Sequence, residues 1–174
     1  FFSQKGPGAM HAPWLISLAA GLVVGGLSQY SRLCTVGGFR DLFLFKKSVL
    51  IFGYIAVLVG VFAVNISFGN FHLGFENQPV SHTDGLWNFL GMALAGFCSV
   101  LLGGCPLRQL IMTGEGNSDS AVTVLGLAAG AAFAHNFGLA ASGAGPTLNG
   151  QIAVGIGFVV ALIIAVLNTK RSNA

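Results

Sequence analysis

Two glycine-rich turns that each carry a cysteine are the parts of this sequence best suited to chemistry. The stronger turn reads GGCPLRQ over residues 103–109, and a weaker copy, RLCTVGGFR, covers residues 32–40. Cys34 and Cys105 stand 71 positions apart, in matching places of the two turns. Glycine and proline interrupt a helix and free backbone N–H groups, and a thiol is a weak donor with a soft, polarisable sulfur. This combination favours a soft, weakly hydrated anion as ligand.

The residues flanking the two cysteines complete a candidate binding site. Glycines would allow close backbone approach, arginines would add positive charge, and helix N-termini favour anions. A histidine inside an apolar segment is a candidate because ionisable groups in membranes are often functional. A histidine that simply bonds a neighbouring carbonyl explains it equally well. The candidate substrate-binding residues are Cys34, Cys105, Gly37, Gly38, Gly103, Gly104, Arg40, Arg108 and His135.

Other interpretations of the two turns stay open. They could be tight connections whose arginines bind lipid phosphates. The protein could also be a membrane sulfur-relay or redox protein in which Cys105 carries a persulfide or a disulfide, or a structural subunit of a membrane complex. No general base stands at a suitable spacing and no tight Cys/His cluster occurs, so neither catalytic residues nor a metal or other cofactor is predicted. Cys98 is interpreted as a small buried hydrophobe.

The composition is that of a membrane protein. Of the 174 residues, 54% are hydrophobic and only 7% are charged, and the mean hydropathy is +0.80. Soluble domains carry about 25% charged residues. The net charge of +3 does not indicate nucleic-acid binding, because the basic residues form no patch interleaved with aromatic residues.

The apolar runs predict an all-α membrane protein with about five transmembrane helices and two short or re-entrant helices at the cysteine turns. Residues 1–12 are predicted to be a linker from an upstream half, residues 13–85 a first repeat unit, and residues 86–174 a second.

Acidic residues are expected only in solvated loops and caps: Glu76, Asp84, Glu115 and Asp119. The five long helices are predicted at Trp14–Tyr30, Ser48–Phe68, Leu86–Leu102, Ala121–Ala141 and Gln151–Asn168.

The basic residues predict an orientation. If Lys46 and Lys47 are cytoplasmic and five helices alternate, Lys5 is the one basic residue outside. The N-terminus of the sequence is then outside and the C-terminus cytoplasmic. An odd number of crossings would precede this piece in a protein that starts in the cytoplasm, so a missing first half is expected.

The two cysteine turns resemble those of the YeeE/YedE, or sulfur-transport, family of bacterial inner-membrane proteins. The matching stretches are SRLCTVGGFRD at residues 31–41 and GGCPLRQLIMTG at residues 103–114. The second, followed by GEGNSD, is most similar to the selenium-associated YedE branch. The whole chain is similar to the C-terminal half of a family member.

The resemblance implies a permease that imports a small sulfur- or selenium-containing anion such as thiosulfate. In the family, cysteines pass the anion along through transient S–H···S contacts, and Cys34 and Cys105 match two of these cysteines. The implied partners are membrane lipid, the missing N-terminal half and, for some relatives, a cytoplasmic sulfurtransferase of the TusA kind. Thiosulfate, selenium species, sulfite and sulfide are not distinguished by these residues.

Overall fold

Helices account for nearly all of the secondary structure in the described residues, 12–74 and 82–172 of the computed structural model. These residues contain an isolated bridge between Ser142 and Gly145 but no strand. The predicted linker at residues 1–12 therefore lies almost entirely outside them. The helices are α1 Trp14–Ser31, α2 Thr35–Phe45, α3 Val49–Ser67, α4 Gly85–Leu101, α5 Pro106–Gly114, α6 Ser118–Asn136 and α7 Leu148–Ser172.

The prediction of an all-α membrane protein is confirmed. Five of the seven helices are long, and the two short ones, α2 and α5, directly follow the two cysteines. In the part of the chain that the structure describes, four helical stretches are long and apolar enough to cross a membrane. These stretches are Trp14–Phe45, Val49–Ser67, Gly85–Gly114 and Leu148–Thr169. Helix α6 is not one of them, and its first three residues are polar.

Several helix ends differ from the predicted ones. Helix α6 ends at Asn136 rather than Ala141, because Gly138 takes a left-handed φ of 63° just beyond it. Its N-cap is Asn117, whose side chain accepts the Ser120 N–H at 2.9 Å. Asp84 caps α4 by accepting the Trp87 N–H, in agreement with the predicted capping role.

The helices of the two cysteine regions pack reciprocally. Helix α1, which leads into the first turn, contacts α5, which follows the second. Helix α4, which leads into the second turn, contacts α2, which follows the first. Each short helix also packs against the next long one, α2 on α3 and α5 on α6. This exchange brings the two turns to the same region of the molecule.

The buried residues are small or polar, while most large apolar side chains face outward. Helix α3 has no buried residue at all. Large apolar side chains exposed to lipid or to other protein are normal for a membrane protein, whose interior is often lined by small and polar residues. The buried residues outside the two turns are Ser28, Ser99, Ser120 and Ala161.

Candidate functional site

The two cysteines meet inside the molecule. Cys34 is 9% exposed and Cys105 is 8% exposed. The Cys34 side chain and the backbone N–H groups of Thr35, Leu107 and Arg108 lie near the Cys105 sulfur, which accepts no N-cap hydrogen bond. Because Thr35 is the first residue of α2 and Leu107 belongs to the first turn of α5, donors from two helix N-termini converge on one sulfur.

Each cysteine is the N-cap of its short helix. Cys34 has an extended backbone, and its sulfur accepts the Gly37 N–H at 3.3 Å. Cys105 is also extended, and Pro106 follows at the first helical position, where its missing N–H costs no bond. The cysteines therefore lie at the positive ends of two helix dipoles. This geometry is favourable for negative charge.

The same backbone motif precedes both cysteines. At the end of α1, Leu33 donates its N–H to the Ser28 carbonyl at 3.3 Å, and at the end of α4, Gly104 donates to the Ser99 carbonyl at 3.0 Å. In both motifs the preceding residue, Arg32 or Gly103, takes a left-handed φ. This is the Schellman arrangement that closes a helix C-terminus. In both motifs the cysteine comes two residues after the left-handed residue.

Two candidate glycines permit a close approach of backbone in α2. A Cβ on Gly37 would lie 3.3 Å from the Cβ of Cys34 and 3.5 Å from its sulfur. A Cβ on Gly38 would lie 3.5 Å from the backbone nitrogen of Ile51 in α3. Both glycines are buried. Their role is to let the cysteine turn sit directly against the next long helix.

The glycines of the second turn differ from each other. Gly103 supplies the left-handed backbone, and no atom lies within 4 Å of the Cβ it lacks. Gly104 is buried, and a Cβ there would lie 3.5 Å from the side chains of Arg108 and Gln109. Gly103 thus serves the backbone conformation, whereas a Cβ at Gly104 would make only ordinary van der Waals contacts.

Both candidate arginines are paired with acidic residues. Arg40 is largely exposed and binds the neighbouring Asp41 through Nε at 3.1 Å and Nη2 at 3.0 Å. Arg108 is half-buried, lies 3.6 Å from the Glu115 carboxylate and donates to the Gln29 side-chain oxygen at 3.4 Å. Glu115 is the C-cap of α5, as the expected cap role allows, and it also pairs with Arg108. It partly neutralises Arg108, which lies three residues after Cys105.

His135 and Cys98 are not among the groups found near the Cys105 sulfur. His135 lies within the predicted helix Ala121–Ala141, but because α6 ends at Asn136 it is the penultimate residue of the helix, and it is exposed. Cys98 lines an apolar groove of about 1230 Å³ between α4, α6 and α7, in keeping with its interpretation as a small hydrophobe.

Sequence reasoning missed three buried polar residues near the turns. Ser28 and Ser99 hold the same position in the two Schellman motifs, 71 residues apart. Gln109, in the second turn, is 5% exposed. The spacing of 71 residues that relates the cysteines also relates the two serines. That spacing was a signal in the sequence that could have identified them.

The arrangement offers a small anion several donors in a shielded place. Backbone N–H groups and two thiols surround one spot, and burial strengthens each of these interactions by excluding water. Within the described residues, no group of three or more His, Cys, Asp or Glu side chains could hold a metal ion.

Apolar helices of spanning length, with short helices and polar turns between them, define a multi-pass α-helical membrane protein. The chain belongs to the sulphur transport family, whose family model matches residues 30–171. The match includes both cysteine turns and confirms the family resemblance recognised in them.

A curated relative supports this assignment. The chain is 27% identical over 110 residues to the thiosulfate transporter TsuA of Escherichia coli strain K12. The alignment covers 59% of this chain and 28% of the relative, so the chain spans less than a third of the length of the protein it matches. No solved structure matches the chain.

Proposed function

We propose that the protein imports a small sulfur-containing anion of the thiosulfate type along a path between Cys34 and Cys105. The observation that carries this proposal is the contact of the two thiols at the N-termini of α2 and α5. An anion entering there would exchange hydration for N–H donors and for the soft S–H groups. Membership of the sulphur transport family and the similarity to a thiosulfate transporter support the same substrate class.

The proposal assigns a role to each part of the site. The thiols make successive contacts with the terminal sulfur of the anion, and the N–H groups near them stabilise its charge. Gly38 lets the backbone of α3 approach α2, and Gly37 and Gly104 leave room for the side chains of Cys34 and Arg108. Arg108 attracts the anion to the site.

The wider setting is also proposed. The resemblance of the cysteine turns to those of inner-membrane proteins supports a bacterial inner-membrane location, and the basic residues Lys170 and Arg171 at the end of the chain support a cytoplasmic C-terminus. Further segments of the same protein would complete the path, and a TusA-like sulfurtransferase is a suitable cytoplasmic acceptor. Selenium-containing analogues are proposed as competing substrates because they are equally soft.

Uptake of labelled thiosulfate by the intact protein in liposomes tests the proposal. We expect uptake to be inhibited by excess unlabelled thiosulfate and by selenium-containing analogues. The same concentration of sulfate, which is more strongly hydrated, should not inhibit it. Absence of thiosulfate uptake would refute the substrate assignment. A persulfide on Cys105 that forms and disappears with substrate, detected by intact mass, would instead support the sulfur-relay alternative.

A further inference from the structure

Gln109 is a long polar side chain in the interior of the described structure. It is 5% exposed and lies in α5, four residues after Cys105. Its Nε2 donates to the Leu102 carbonyl at 2.9 Å. Because Leu102 is the C-cap of α4, this bond joins the two helices on either side of the Cys105 turn.

The bond completes the hydrogen bonding of the turn. The Schellman motif satisfies the carbonyls of Ser99 and Val100 through the N–H groups of Gly104 and Gly103. The Leu102 carbonyl follows these two in the chain, and it accepts a hydrogen bond from the Gln109 side-chain amide. The bond is part-buried, so an unpaired Leu102 carbonyl would cost part of the free energy of a lost hydrogen bond. Gln109 therefore favours the closed form of the turn over an open one.

The first cysteine turn is held in another way. The position that corresponds to Gln109, 71 residues earlier, is Gly38. A Cβ at Gly38 would lie 3.5 Å from the Ile51 nitrogen and 3.6 Å from the Leu50 carbonyl carbon. Close backbone packing of α2 on α3 thus fixes the Cys34 turn, whereas a side-chain amide fixes the Cys105 turn.

We propose that Gln109 is a positioning residue that holds Cys105 against Cys34. It acts through the α4–α5 turn and touches no substrate. Its importance for transport rests on the function proposed above, but its effect on Cys105 itself does not. Loss of the Gln109 amide should let the turn open more often and expose the Cys105 sulfur.

Alkylation of the three cysteines by N-ethylmaleimide, followed peptide by peptide with mass spectrometry, measures this opening. Gln109→Met keeps the length of the side chain but removes the donor. The net free energy of one hydrogen bond corresponds to a rise of about threefold to tenfold in the alkylation rate of Cys105. We expect that rise at Cys105 with no change at Cys98. The control Gln151→Met, the same change in the first turn of α7, should alter neither rate.

Gln109→Glu adds a signature that simple destabilisation would not produce. An ionised carboxylate cannot donate to the Leu102 carbonyl, whereas a protonated one can. Relative to wild type at the same pH, Cys105 alkylation in Gln109→Glu should be fast at high pH and return toward the wild-type rate as pH falls.

An unchanged Cys105 rate in Gln109→Met, or equal acceleration of Cys98, would overturn the positioning role. So would a Gln109→Glu ratio that is independent of pH. Failure of wild-type thiosulfate uptake would refute the proposed function and leave these alkylation results standing.

Discussion

The guanidinium of Arg108 lies 3.6 Å from the carboxylate of Glu115, the C-cap of the same short helix. The same guanidinium donates to Gln29 in α1 at 3.4 Å, so it ties the second cysteine turn to the helix that leads into the first. Arg108 is therefore a paired charge. Its positive field at the cysteines is weakened by Glu115.

Glu115→Gln should strengthen binding of the anion. Removing the carboxylate leaves the Arg108 charge uncompensated. The interaction free energy of a partly exposed ion pair of this kind corresponds to a KM for thiosulfate uptake that is lower by about twofold to fivefold. The gain should shrink at high ionic strength, because mobile ions screen exposed charges.

The matched control for this prediction is Asp119→Asn, which removes an acidic group in the first turn of α6. It should leave the KM unchanged. A KM in Glu115→Gln equal to or above that of wild type would contradict the assigned role of the ion pair.

Gly103→Ala should destabilise the protein. Gly103 has a φ of 74°, and a side chain in this left-handed region costs about 1–2 kcal/mol. Arg32 already has a side chain at the equivalent position, with a φ of 51°, so Arg32→Ala adds no backbone strain. Thermal unfolding of the intact protein in detergent should show a lower Tm for Gly103→Ala and a nearly unchanged Tm for Arg32→Ala. Equal Tm values for Gly103→Ala and wild type would contradict this account of the cap.

The parts of the site that recur in the chain could be predicted from the sequence. GGCPLRQ and RLCTVGGFR share a spacing and a composition, and they marked the positions where helices stop and restart. The structure does bring Cys34 and Cys105 into contact, as the pairing of the turns indicated. The site roles given to the glycines and arginines stay predictions.

Interactions between distant or unlike residues could not be predicted in the same way. The bond from Gln109 to Leu102 depends on the direction in which α5 leaves the turn. The pairing of Arg108 with Glu115 depends on where that helix ends. The position of His135 depended on the end of α6, and Gly138 stops that helix inside a run that hydropathy alone would continue. Apolar periodicity carries no information on such turns.

Gly37→Ala should impair transport without unfolding the protein. The new methyl group would lie 3.3 Å from the Cβ of Cys34 and 3.5 Å from its sulfur, so the thiol must move by a few tenths of an ångström. Small misplacements of contacting groups are costly, and we expect about a fivefold to tenfold loss of uptake at equal expression. Gly21→Ala in α1, where no atom lies within 4 Å of the new methyl group, should keep wild-type uptake. Full activity of Gly37→Ala would show that the Cys34 position is not critical.

Cys105→Ala should abolish thiosulfate uptake while the protein is still produced and inserted. The substitution removes the sulfur that Cys34 and the two helix N-termini contact, and it leaves the backbone of the turn unchanged because alanine tolerates an extended N-cap. Cys98→Ala is the control within the same chain. Its thiol lines the apolar groove between α4, α6 and α7, so the change should be nearly silent in uptake. Initial rates in liposomes with matched protein amounts measure both variants. Normal uptake by Cys105→Ala would show that the paired thiols do not relay the anion. Loss of uptake in Cys98→Ala would indicate that the anion passes through the groove instead.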